Sequence, residues 1–152
     1  MYNDVEFNIE FSLSISGTLL IISSNNSDEE KIKLINKLKD KGKDSLLISA
    51  KKFNGTDSFW KNINYLSGLC GEGLSDIEYK QNTVNNFIET NRILVLKDLG
   101  ILDREYLKQI SYEIKEVIRK GIKIVVLTDL KHEMDLINLN PDLNGRIRIV
   151  RI

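Results

Sequence analysis

The chain has 152 residues and 17.5 kDa, 41% hydrophobic and 29% charged, which suits one domain with its own core and argues against disorder. One cysteine, Cys70, excludes an internal disulfide and a cysteine-rich zinc site, and one histidine, His132, leaves a His-based metal centre or a Ser-His-Asp triad without its parts. No apolar run reaches the roughly 18 residues a membrane span needs, and no basic-then-apolar leader opens the chain. A soluble intracellular domain is expected, a single unit over residues 1–152 without a linker.

The formal net charge is zero but unevenly spread: residues 1–30 carry six acids and no Lys or Arg, and residues 31–52 carry eight Lys against Asp40 and Asp44. A chain of zero net charge is not built as a general nucleic-acid binder. The lysine-rich stretch reads as a solvated helix face or as a surface for an acidic partner.

Residues 5–15 alternate strictly, with Val5, Phe7, Ile9, Phe11, Leu13 and Ile15 on one side of the pattern. This predicts a half-buried strand in a small antiparallel layer. Leu19-Leu20-Ile21-Ile22 is a continuous apolar run, as in a strand buried on both faces. Ser27 and Glu30 form a capping-box pair before a helix carrying Ile32, Ile35 and Leu38, and Gly42 suits its end. A second apolar strand is expected at Ser45–Ser49. Asp57 is expected to cap a short helix with Trp60, Ile63 and Leu66, and Gly68, Gly71 and Gly73 mark a loop. Ser75 and Glu78 make a second capping box, opening a helix through Val84, Phe87 and Ile88. Ile93–Leu96 is the third apolar strand; Asp103 caps a helix with Leu107, Ile110, Ile114, Val117 and Ile118; Ile122–Leu127 is the fourth strand, and 146–151 is β-like. Alternating apolar strands and helices imply an α/β fold, a parallel sheet flanked by helices.

In order, these pieces resemble the nucleotide-binding domain of an ABC transporter. Residues 11–22 are similar to that family's entry strand, glycine (Gly17) and P-loop strand. Ser23-Ser24-Asn25-Asn26-Ser27-Asp28-Glu29-Glu30 falls where its phosphate loop belongs. Leu74-Ser75-Asp76-Ile77-Glu78 is similar to its signature, and the Ile93–Leu96 strand with Lys97 and Asp98 to its Walker B element. Residues 100–103, ending in Asp103, resemble its D-loop, and Asp129 stands at its switch histidine. Ile63-Asn64-Tyr65-Leu66 and the compact size resemble the heme-exporter ATP-binding subunit of cytochrome c maturation. The resemblance implies a P-loop NTPase-like fold with a shortened helical subdomain. A second P-loop lineage also fits, a degenerate AAA+ domain, in which Arg146 after Pro141 and Leu143 resembles an arginine-finger segment.

The chemistry of a P-loop is nevertheless missing. Glycines let backbone N–H groups approach phosphates, a lysine neutralises them, and Ser or Thr binds Mg²⁺. Under the resemblance the glycine positions hold Ser23, Asn26 and Asp28, the lysine position Glu29 and the metal-ligand position Glu30, while Lys31 comes two places late on a different helix face. Acids at a helix N-terminus occupy the place of an anion, and a carboxylate ~4 Å from a phosphate charge is repelled by about 4 kcal/mol at an effective dielectric of ~20. If Lys97 takes the metal-ligand place, Mg²⁺ is excluded; if Asp98 does, Leu99 replaces the catalytic glutamate. Ser75 reads as a cap or as a group lent to a partner's phosphate, and His132 with Glu133 and Asp135 as a solvated loop.

The expectation is a non-hydrolysing homologue of an ABC ATP-binding subunit, with no cofactor and no bound metal. It would act as a structural subunit of a membrane transporter complex, such as heme export. Its partner would be a transporter subunit or a paralogous nucleotide-binding domain, in a dimer, with no nucleic acid. The alternatives are an atypical ATPase half-site, and a degenerate AAA+-like subunit supplying Arg146 in trans.

Overall fold

The computed structural model describes residues 4–25, 27–40, 44–69 and 71–152, so Asn26, Gly42 and Cys70 lie outside the described residues. Among the described residues five strands run β1 (Leu19–Ser23), β2 (Ser45–Ser49), β3 (Ile93–Lys97), β4 (Lys123–Thr128) and β5 (Ile147–Arg151), each within a residue or two of its sequence expectation. They form one sheet in the order β2-β3-β4-β1-β5, and every pairing is parallel.

Among the described residues six α-helices cover it: α1 (Asp4–Ser14), α2 (Asp28–Asp40), α3 (Phe59–Leu66), α4 (Asp76–Glu89), α5 (Arg104–Ile118) and α6 (Asp135–Leu139). Successive strand residues point to opposite faces, which is why continuous apolar runs fill two cores. Leu19, Ile21, Leu94, Leu96, Ile124 and Val126 pack with Trp60, Ile63, Phe87, Ile110 and Ile114 of α3, α4 and α5. Leu20, Ile22, Val95, Val125, Leu127 and Val150 meet Ile9 and Leu13 of α1 and Ile35 of α2.

The N-terminal antiparallel strand is corrected: those residues are the helix α1. A period of two contains a period of four, so the alternating run also places Val5, Ile9 and Leu13 one turn apart on one helix face. That face is the one packed on the sheet. Phe7, Phe11 and Ile15 fall on another face and stay exposed. Arg148 of β5 stacks its guanidinium 5.0 Å from the Phe11 ring and donates to the Ser12 hydroxyl at 3.1 Å, which fastens the helix to the sheet edge.

Local caps decide the other helix starts. Ser75 and Glu78 form the expected reciprocal box at α4, and Asp103 accepts from the Tyr106 N–H at 2.9 Å at α5. At α3 the cap is Ser58, not Asp57; Asp57 instead pairs with Lys61 at 3.1 Å. The helical layer is braced by Lys80 of α4, whose ammonium reaches Glu113 at 2.9 Å and Glu116 at 2.5 Å on α5. The Trp60 indole N–H donates to the same Glu113 oxygen at 2.7 Å.

Candidate functional site

The chain leaves β1 toward β2 on one side and returns past β1 to β5 on the other, so the sheet order reverses at β1. Ligand sites of open parallel sheets lie beyond the strand C-termini at such a point. A cleft of about 610 Å³ lies there. Ser24, Asn25, Ser27, Asp28 and Lys31 line it after β1, Asp98, Leu99 and Gly100 after β3, and Thr128, Asp129 and His132 after β4.

Of the expected site residues, Asn25, Ser27, Asp28, Asp98 and Asp129 meet at this cleft. Ser23 is buried beneath it and donates to Glu133 Oε2 at 2.5 Å. Glu29 is exposed and reaches Lys33 at 3.9 Å, along the helix and away from the cleft. Glu30 is exposed too. Lys31, on a different helix face from Glu29, lines the cleft, with its side chain 3% accessible and its ammonium 3.3 Å from Asp28 Oδ1. The i, i+3 pairing of Asp28 with Lys31 was the sequence signal for this position.

The charges of the cleft are satisfied among themselves. Asp28 Oδ1 faces Lys31, and Asp28 Oδ2 lies 4.0 Å from the Lys97 ammonium. Lys97 is also 4.0 Å from Asp98 Oδ2, which accepts from the Ser49 hydroxyl at 2.5 Å. A row of alternating charges thus runs from α2 across the ends of β3 and β2. Asp98 holds left-handed backbone, φ 61°, a conformation that Asp and Asn tolerate better than most residues.

The remaining walls are built by caps. Asp129 accepts from the His132 N–H at 2.9 Å, closing the turn after β4. His132 Nδ1 pairs with Asp135 at 2.8 Å. Glu133 turns inward instead of joining them. Arg151 reaches it through Nη2 at 2.6 Å, and the hydrogen bonds from Arg151 and then from Ser23 hold its carboxyl below the usual range. Among the described residues no three His, Cys, Asp or Glu side chains converge as a metal site requires. Thr128, the last residue of β4, also lines the cleft; nothing in its spacing marked it beforehand.

Leu74, Ser75 and Glu78 sit at the start of α4, outside this cleft. The Ser75 hydroxyl accepts from the Glu78 N–H at 3.3 Å, and Glu78 accepts from the Ser75 N–H at 3.1 Å. Those bonds keep the Glu78 carboxyl below its ordinary range, and they account for both residues as a helix cap. Asp103 is likewise a cap. Arg146 precedes β5 at the opposite edge of the sheet, close enough to Gly17 that a Cβ there would lie 3.8 Å from its guanidinium.

No family model matches the chain, and no curated protein matches it. Solved structures do. Cdc6p of Pyrobaculum aerophilum aligns over 97% of this chain and 44% of its own, with 17% identity and a TM-score of 0.61. A Walker-type ATPase of Pyrococcus abyssi aligns over 98% and 53%, with 13% identity and a TM-score of 0.57. Drosophila ORC bound to DNA aligns over 98% and 29%, with 14% identity and a TM-score of 0.56. The chain therefore spans about half or less of the chains it matches.

These likenesses overturn the ABC-transporter resemblance, the transport role drawn from it and the transporter partner. The matching structures are AAA+ ATPases of the Cdc6 and ORC kind. The six motif matches followed the strand–helix order that P-loop folds share, and one of them, at Leu74–Glu78, is explained by the Ser75–Glu78 capping box. The exclusion of nucleic acid is corrected as well, since a structure of this fold is an ORC bound to DNA. Among the described residues no helix is long and apolar enough to cross a membrane. The fold is a parallel sheet flanked by helices, of the P-loop NTPase type, and it matches that of Cdc6-like AAA+ ATPases.

Proposed function

We propose that this chain is a non-hydrolysing AAA+-type subunit, working by contact with ATP-binding neighbours in a DNA-bound assembly of the Cdc6 and ORC kind. The observation that carries the reading is the charge row in the cleft. A P-loop site needs glycine amides and a lysine free to meet the phosphates, and an acid at the end of the third strand for Mg²⁺. Here Lys31 is committed to Asp28, and the strand ends in a lysine, Lys97. These residues do not fit a Mg²⁺–nucleotide.

Arg146 supports the contact role. It stands at the N-terminal edge of the sheet, while the cleft opens at the C-terminal edge, about 15 Å of strand away. Subunits stacked head to tail would bring one subunit's Arg146 toward the next subunit's cleft. An arginine supplied in trans stabilises the charge that develops in phosphoryl transfer.

Isothermal titration with Mg-ATP tests the first half, with a flat trace expected; micromolar binding would remove the reading. Affinity purification from native cells followed by mass spectrometry tests the second and should recover an AAA+ ATPase. Arg146→Ala should then slow that neighbour's ATP turnover at least tenfold without shifting this chain's own melting temperature. An unchanged turnover would leave Arg146 without the assigned part.

A further inference from the structure

From the cleft we infer that the Lys97 ammonium is a built-in cation, serving in place of a divalent metal to hold α2 against the ends of β3 and β2. The inference rests on the reading of the cleft as non-hydrolysing, and extends it from a lost activity to a gained structural part.

The geometry is specific. Asp28 begins α2 and Asp98 follows β3, and each turns its Oδ2 to the same ammonium at 4.0 Å. The two carboxylates are therefore within about 8 Å of each other with one positive charge between them. Lys97 is mostly enclosed, its side chain 26% accessible. The outer ends of the row are closed by Lys31 on Asp28 and by the Ser49 hydroxyl on Asp98. In active P-loop enzymes a Mg²⁺ held by the helix and by the strand-end acid neutralises charge at this edge of the sheet. Here a lysine stands at the strand end, so the positive charge is carried by the chain itself. An ammonium is a compact point charge on a flexible stem, suited to serving two acids at once.

A consequence follows for the metal-free protein. Wild type needs no divalent ion, so its nucleotide-free melting temperature should be the same in 10 mM MgCl₂ and in EDTA with NaCl at matched ionic strength. Lys97→Met keeps the apolar stem and removes the charge, leaving Asp28 and Asp98 facing each other. Its midpoint in EDTA should fall by about 3–6 °C. MgCl₂ should restore at least half of that loss, and matched NaCl should not. Lys97→Arg should behave as wild type.

A Lys97→Met midpoint equal to wild type, or a loss that Mg²⁺ does not repair, overturns the inference. So does a wild-type midpoint raised by Mg²⁺, because the acids would then accept a metal with the lysine in place. If Lys97→Met does not fold in EDTA, refolding from urea gives the same answer: recovery with Mg²⁺ alone supports the inference, and failure in both buffers overturns it. No nucleotide enters these measurements, so they are independent of the Mg-ATP titration. ATP binding by wild type would end the functional reading, whatever the melts show.

Discussion

The Ser49 hydroxyl donates to Asp98 Oδ2 at 2.5 Å, joining the last residue of β2 to the first residue beyond β3. The bond does two things at once. It satisfies a carboxylate that is only 18% accessible, and it fixes the direction in which the chain leaves β3 toward the cleft wall at Leu99 and Gly100.

Asp98→Ala should therefore destabilise the fold by about 1–2 kcal/mol, from the lost charge-assisted hydrogen bond and from alanine's poorer fit to left-handed backbone. Asp98→Asn keeps an acceptor for Ser49 and tolerates the same φ, so its cost should stay below about 1 kcal/mol. Urea denaturation of the two variants decides it. Equal costs would mean that neither the bond nor the backbone conformation matters.

Helix α1 makes a separable prediction. Leu13 is 3% accessible and Phe11 is 45% accessible. Leu13→Ala should cost about 2–4 kcal/mol, as large-to-small changes in a packed core do. Phe11→Ala should cost less than about 1 kcal/mol, the scale of its exposed contact with the Arg148 guanidinium. A strand built on the same alternation would place both side chains on one buried face. Comparable losses would return these residues to a strand.

That contrast shows what could be read from the letters. The four apolar runs from Leu19 to Leu127 were legible as strands because they are short and bounded by turn and cap signals, as in a sheet covered by helices, although Leu47 of the edge strand β2 stays exposed. The box at Ser75 and the cap at Asp103 were legible because capping is local chemistry. Residues 5–15 misled because periods of two and four coincide, and only the packed neighbour, the β1–β5 face, decides between them. In the cleft, Asp28, Asp98 and Asp129 were found through their places after strands. Ser49 was not, since its partner Asp98, 49 positions on, is placed by the fold; Lys31 had a local signal in Asp28 one turn back, but only the fold turns that pair to the cleft. The family resemblance failed for a related reason. Motif order reports strand–helix alternation, whereas the likeness to Cdc6 and ORC ATPases lies in the arrangement of the whole sheet.

Lys80 should act as a clasp between α4 and α5. Burial works to lower its pKa, but the hydrogen bonds it donates to Glu116 and Glu113 outweigh it and hold the ammonium above its ordinary value. Lys80→Met should cost about 1–2 kcal/mol, because it leaves two carboxylates of α5 without their shared partner. Lys80→Arg should recover part of that loss. A chemical denaturation midpoint unchanged in Lys80→Met would show that the Trp60–Glu113 bond and the apolar contacts suffice alone.

The pH dependence of the cleft wall should be governed by Glu133. Its carboxyl binds the Ser23 hydroxyl at the end of β1 and Arg151 at the end of β5. Those partners favour the ionised form, so the folded-state pKa lies below the unfolded value of about 4.3. The sign follows from linkage: the unfolded chain binds the proton more readily, so the contribution is fully present above that value and is lost as pH falls through the lower, folded-state value. At pH 7, Glu133→Gln should be less stable than wild type by about 1 kcal/mol, from the weakened hydrogen bond to the buried Ser23 hydroxyl and a contact with the exposed Arg151 that solvent screens. The gap should begin to close as pH falls below the unfolded value and should vanish only below the lower, folded-state value, where Glu133 is protonated in the folded protein as well. Glu78 and Glu116 also have lowered values, but both proteins share them, so the difference between the two stability curves isolates Glu133. Urea unfolding at pH 7, 4.5 and 3 measures that difference. A gap that stays constant across the three would place the pH response elsewhere and reduce the Ser23–Glu133–Arg151 contact to packing.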